Sequence, residues 1–98
     1  MGYRLTKSAE EDLLGIFLHG MDRYGLDQAR HYHRDFERCF RFLSDYPQAS
    51  PARTELNPQV CIHPCNQHLV IYLIDDDEEI LIVRVRHSSE DWVTYPLG

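Results

Sequence analysis

An α+β domain of two layers is expected from this chain: an N-terminal helical hairpin packed on a mainly antiparallel sheet, in the order β-α-α-β-β-β. Three observations predict it. The run His68-Leu69-Val70-Ile71-Tyr72-Leu73-Ile74 is almost wholly apolar, as a central strand buried on both faces would be. The run from Ile80 to His87 alternates, and the five acids Asp75 to Glu79 between the two cannot enter a core, so they belong in the turn of a hairpin. Upstream, two stretches carry apolar residues at helical spacing, and amphipathic helices must lay such stripes on a sheet face.

The elements follow in order. Tyr3-Arg4-Leu5-Thr6 reads as a short first strand. Ser8 stands three residues before Glu11, the capping-box spacing of a helix start. Leu13, Ile16, Phe17, Met21 and Tyr24 form that helix's stripe, and Gly25 stops it, since glycine adopts positive φ freely. Gly15 and Gly20 each weaken the helix by roughly 1 kcal/mol against alanine and would let a neighbouring element come close. Asp27 is the expected cap of the second helix. Its stripe is Ala29, Tyr32, Phe36, Cys39, Phe40 and Leu43, with Arg30, Arg34, Arg38 and Arg41 opposite, and Tyr46-Pro47 ends it. So short a connection predicts an antiparallel helix pair. Gln48 to Gln59 reads as a connecting loop. Val60-Cys61-Ile62-His63 reads as a strand interrupted by Pro64, and Cys65-Asn66-Gln67 as a turn into the central hairpin. In the last strand Leu81, Val83 and Val85 are expected on one face, with Ile80, Ile82, Arg84 and Arg86 on the other. Short connections make the last three strands a meander, so the sheet should have four strands.

Bulk properties narrow the function classes. The 98 residues suit one domain spanning 1–98. No apolar run approaches the roughly 18 residues of a membrane span. The N-terminus lacks signal-peptide character, so a cytoplasmic protein is expected. Met1-Gly2 with Thr6 formally fits an N-acylation pattern, but so short a motif recurs by chance and the segment is wanted as a strand. The net charge of −6 argues against a free-standing nucleic-acid binder, whose affinity comes largely from neutralising phosphates. Cys39, Cys61 and Cys65 are odd in number, which disfavours a disulfide framework. Cys61, His63 and Cys65, with His68 nearby, invite a zinc reading. The tight C-x2-C turn of structural zinc sites is absent, so packed thiols and surface imidazoles are expected, with no metal and no cofactor.

Three pieces of the chain carry a family resemblance. The first is Leu5-Thr6, Ala9, Asp12-Leu13 and Ile16. The second is Tyr24-Gly25, Gln28-Ala29 and Tyr32, closed by Leu43, Tyr46 and Pro47. The third is His68 to Tyr72, Ile82 to His87, and Asp91-Trp92. In this order and spacing they resemble the ParE toxins of the RelE/ParE superfamily, over nearly the whole chain. The resemblance implies the toxin of a type II toxin–antitoxin pair, held inactive by a cognate antitoxin and touching operator DNA only through it. It implies DNA gyrase as the target for ParE-like members, and ribosome-dependent mRNA cleavage for RelE-like ones. Many relatives carry an arginine early in the second strand, where this chain has Cys61. That departure keeps open a third reading, an inactive homologue that serves only as antitoxin partner.

The residues themselves bear on both activities. RNA cleavage needs a base, an acid and cations for the phosphate. Glu55 and His87 are the candidate base and acid, with Arg53, Arg84 and Arg86 as clamps. Gyrase inhibition needs a docking face instead, and Arg84, Arg86, His87, Asp91 and Trp92 make a compact candidate, because arginine and tryptophan are favoured interface anchors. Arg30, Arg34, Arg38 and Arg41 could receive an acidic antitoxin segment or a phosphate backbone, though such a stripe is more often simply the solvated side of a helix. The apolar groove between hairpin and sheet offers an incoming helix or strand a seat. The docking reading is preferred.

Overall fold

The computed structural model describes residues 2–56 and 59–89. In chain order it contains β1 (Tyr3–Leu5), α1 (Lys7–Tyr24), α2 (Leu26–Asp45), a 3-10 turn at Pro47–Ala49, β2 (Ala52–Arg53), β3 (Val60–Cys65), β4 (His68–Ile74) and β5 (Ile80–His87). The sheet order is β1-β5-β4-β3-β2. β2 through β5 pair antiparallel, and β1 lies parallel to β5 at the edge. The α+β class and the helix-pair-on-sheet layering stand as expected.

The sheet has five strands where four were expected. β2 is only Ala52 and Arg53, paired with Cys61 and Val60, and two residues leave no periodic trace in a sequence. β3 runs through Pro64 to Cys65 instead of stopping at His63. β2 has ended by then, so the missing proline N–H costs no ladder bond on that side.

The helix starts also differ from expectation. Thr6, not Ser8, caps α1: its Oγ1 accepts from the Ala9 N–H at 3.0 Å. The same hydroxyl donates to the Val83 carbonyl at 2.9 Å, a second bond that Ser8, inside the helix, does not make. Gly25 alone separates α1 from α2, at φ +94°, and caps both ends. Asp27 therefore sits in the first turn of α2, where its charge suits the helix dipole but does not cap.

The α2 stripe is buried as expected, with Ala29, Phe36, Phe40 and Leu43 inside and Tyr32 and Cys39 half-buried. The α1 stripe holds only in its first half. Ala9 and Leu13 are buried, whereas Met21 and Tyr24 are exposed, because α1 leaves the sheet as it approaches Gly25. Gly20 faces Ala29 at this crossing, but a Cβ on it would stand an ordinary 3.7 Å from the Ala29 Cβ, so, contrary to expectation, the approach does not require a glycine.

β4 is buried on both faces. Val70 and Tyr72 join the helix-side core, and Ile71 joins a smaller outer cluster with Leu56, Val60 and Val83. The Tyr72 hydroxyl donates to the carbonyls of Pro47 at 2.9 Å and Ser50 at 3.3 Å, and burial pushes its phenol up to about 12. Tyr72→Phe leaves those buried carbonyls without their donor, so it should lower stability by about 1–2 kcal/mol. In urea the midpoint should fall with the slope unchanged.

The expected alternation of β5 fails at a bulge. Ile71 faces Arg84 while Tyr72 faces Ile82, which leaves Val83 as the extra residue. Ile80, Ile82 and Val85 thus pack toward the helices, and Leu81 and Val83 pack outward. The acidic turn is as expected: Asp75 Oδ1 accepts from the N–H groups of Asp77 and Glu79, both at 2.9 Å.

Candidate partner-binding site

β1 stops at Leu5, and α1 takes over the edge of β5 beyond it. The Thr6 N–H donates to the Ile82 carbonyl at 2.9 Å. One turn and a half later, Asp12 Oδ2 accepts from the Val85 N–H at 3.0 Å. Arg84 adds a forked pair, Nε to Asp12 Oδ2 at 2.7 Å and Nη2 to Oδ1 at 3.0 Å. The two side chains are 18% and 17% exposed, so this ion pair is sheltered. The bulge at Val83 re-aims Arg84 along the sheet edge to reach it.

Beside this latch, α1, α2 and the end of the sheet enclose an open groove of about 900 Å³. Ile16, Phe36 and Val85 supply apolar floor, and Glu11, Asp35 and Asn66 lie on its rim. A connected set of rings forms its inner wall. The Tyr32 hydroxyl hydrogen-bonds His68 Nδ1 at 2.7 Å, and the His68 ring meets those of Phe36 at 5.6 Å and His87 at 5.1 Å. Ser89 closes the chain, its Oγ 2.7 Å from His87 Nδ1. Burial raises the Tyr32 phenol above its ordinary range, so it stays protonated as a hydrogen-bonding group. The sequence expectations leave Tyr32 and His68 out of the site. They lie 36 positions apart, and beyond their place in the family resemblance each is marked only by sitting on the buried side of its own element.

The proposed docking residues do not share one face. Arg84 is held by Asp12. Register puts Arg86 opposite Leu69 on the outer face, and His87 opposite His68 on the helix face. Asp91 and Trp92 lie outside the described residues. The set weighed for RNA cleavage does not converge either. Arg53 and Glu55 pair with each other at 2.8 Å in an exposed position, which holds the Glu55 carboxyl below its usual range. Arg53 pairs with Val60, at the opposite end of the sheet from His87 and three strands away, a separation of roughly 20–25 Å.

Arg30, Arg34, Arg38 and Arg41 are exposed on α2, and none of them lines the groove. Arg38 lies 3.6 Å from Asp35. Cys61, His63 and Cys65 share the helix-side face, but each is engaged separately. The Cys61 thiol meets Tyr72, His63 Nδ1 lies 2.9 Å from Ser50 Oγ, and the Cys65 thiol faces the Asp35 carbonyl. Among the described residues no group of three or more His, Cys, Asp or Glu could hold a metal ion. Cys61, 4% exposed, is a core residue and offers no contact to a ligand. Among the described residues no helix is long and apolar enough to cross a membrane.

A helix pair joined by one glycine, a short parallel edge strand and an antiparallel meander make up this small α+β protein, and the family comparison places it in the RelE/ParE superfamily. A family model described as the ParE toxin of the type II toxin–antitoxin system parDE matches residues 3–92, and the chain belongs to that family. It is 28% identical over 87 residues to Toxin ParE1 of Caulobacter vibrioides, covering 89% of this chain and 88% of that one. Toxin ParE1 of Mycobacterium tuberculosis is 28% identical over 89 residues, covering 91% of each. The fold is similar to a solved chain of the chromosomal ParDE TA system from P. aeruginosa, with a TM-score of 0.75 at 21% identity, over 89% of this chain and 95% of that one.

Proposed function

We propose that a cognate antitoxin silences this toxin by seating a segment in the groove between α1, α2 and the sheet end. The freed toxin then acts by binding DNA gyrase rather than by cutting RNA. The observation that favours binding over cleavage is the dispersal of the reacting groups: Arg53 and Glu55 are paired at one end of the sheet, His87 lies at the other, and Arg84 is committed to Asp12. The groove supports the antitoxin half of the reading, because its apolar floor and ring-lined wall suit the apolar face of an incoming helix.

In this reading Arg86, His87, Asp91 and Trp92 carry the target contacts, and Arg84 acts by holding α1 against β5. Arg30, Arg34, Arg38 and Arg41 can meet only an antitoxin segment that continues past the groove over α2. Operator DNA is contacted through the antitoxin, since a chain of net charge −6 makes a poor phosphate binder alone. Both partners are reached in the cytoplasm.

Purified toxin added to gyrase in stoichiometric amounts should abolish plasmid supercoiling, and added antitoxin should restore it. Undiminished supercoiling, together with new 5′ ends in translated mRNA by primer extension, would replace gyrase by the ribosome as target. Normal growth on expression without antitoxin would identify an inactive partner protein.

A further inference from the structure

We propose that Cys39 and Cys65 form an oxidisable pair, which a peroxide converts to a disulfide stapling α2 to the end of β3. Both cysteines meet at one backbone carbonyl, Cys65 through its thiol and Cys39 through its N–H. Cys65 Sγ lies 3.8 Å from the Asp35 oxygen. Cys39 is one turn further along α2, so its own N–H closes the helical ring on that same oxygen. The two thiols are close enough to interact electrostatically, and Cys39 packs against the core cluster that holds Cys65.

Their exposures assign the roles. Cys65 is 4% exposed, and burial pushes its thiol well above the ordinary range, so it does not open the reaction. Cys39 is half-buried and meets the oxidant first. Its thiol gives up a proton, the thiolate sulfur attacks one oxygen of hydrogen peroxide, the O–O bond breaks, and the departing hydroxide takes up that proton as water, which leaves Cys39 as a sulfenic acid. The Cys65 sulfur then attacks the Cys39 sulfur. The S–S bond forms as the S–O bond breaks, and the Cys65 proton departs with the hydroxyl as a second water. Two thiols and one peroxide thus give one disulfide and two waters. A reducing cytosol keeps the pair as thiols at rest, so the staple reports oxidative conditions. It sits directly behind Asp35 and Asn66 on the groove rim, which are already joined by a 3.1 Å hydrogen bond.

The full chain, reduced and then treated with one equivalent of hydrogen peroxide, should lose about 2 Da of intact mass by two-thiol oxidation. Alkylation after denaturation should then find Cys61 as the one free thiol, and digestion should yield a Cys39–Cys65 linked peptide. Melting should rise by about 10 °C, reversed by dithiothreitol, because the bond restrains the unfolded chain. Cys39→Ser and Cys65→Ser should each abolish the mass loss, and Cys61→Ser should retain it. Alkylation mapping of the unmutated chain needs no variant, so a serine substitution that fails to fold leaves the test intact. A bond to Cys61, stable oxygen addition at Cys39 without a crosslink, or three thiols still free would overturn the proposal.

Discussion

Replacing Asp12 with alanine should lower the unfolding free energy by about 2–4 kcal/mol, a shift large enough to read directly in a urea titration. One carboxylate satisfies both arms of the Arg84 fork and the Val85 N–H. Its removal takes the forked carboxylate from a guanidinium that is only 18% exposed and uncaps a backbone donor at the β5 edge. Breaking a fully buried pair costs about 3–5 kcal/mol, and the residual exposure here brings the expected value toward the lower end. Asp12→Asn keeps an acceptor for Val85 but not the charge, so it should fall between. Asp12→Ala combined with Arg84→Met should cost clearly less than the two single losses together, since both changes remove the same forked pair. A loss below about 1 kcal/mol for Asp12→Ala would show that the pair behaves as a surface ion pair.

Phe36→Ala should be the most damaging single truncation, at about 3–5 kcal/mol. Phe36 is 1% exposed, and its ring meets those of Tyr32 at 5.3 Å, Phe40 at 6.3 Å and His68 at 5.6 Å. A domain of this size commonly has a total stability of roughly 5–15 kcal/mol, so the variant should be close to unfolded at 37 °C by circular dichroism. Phe36→Leu should cost about 1–2 kcal/mol and stay folded. Because Phe36 also forms groove floor, Phe36→Leu should weaken antitoxin binding measured by calorimetry, while Tyr72→Phe, far from the groove, should not. Equal antitoxin affinity in Phe36→Leu and the unmutated chain would argue against the groove as the seat.

Where the chain's local pattern and its tertiary environment agree, the fold was readable. The α2 stripe from Ala29 to Leu43 and the apolar run of β4 are long, periodic and buried as their composition demands. Misreadings arose where a single long-range bond decides a local choice. Thr6 and Ser8 are both acceptable caps, and the contact between Thr6 and Val83, 77 residues away, selects Thr6. The strict alternation of β5 was assumed, but one extra residue at Val83 reverses the faces of everything after it. The site was less legible for the same reason. Arg84, Arg86 and His87 look like one patch in one dimension, yet the bulge and the pleat send them to the edge, the outer face and the groove. The wall built from Tyr32, His68 and His87 draws on three elements, and no spacing rule connects them.

β1 holds a consequence for how the toxin comes into being. Its partner in the sheet is Ile80 to Ile82, so β1 cannot pair until residues some 77 positions further along have been made. While translation is under way, a growing chain can form its helices but cannot close the sheet, and the Asp12–Arg84 latch is equally out of reach. The sheet edge and the latch therefore close together, after both helices and β2 through β4 have been made.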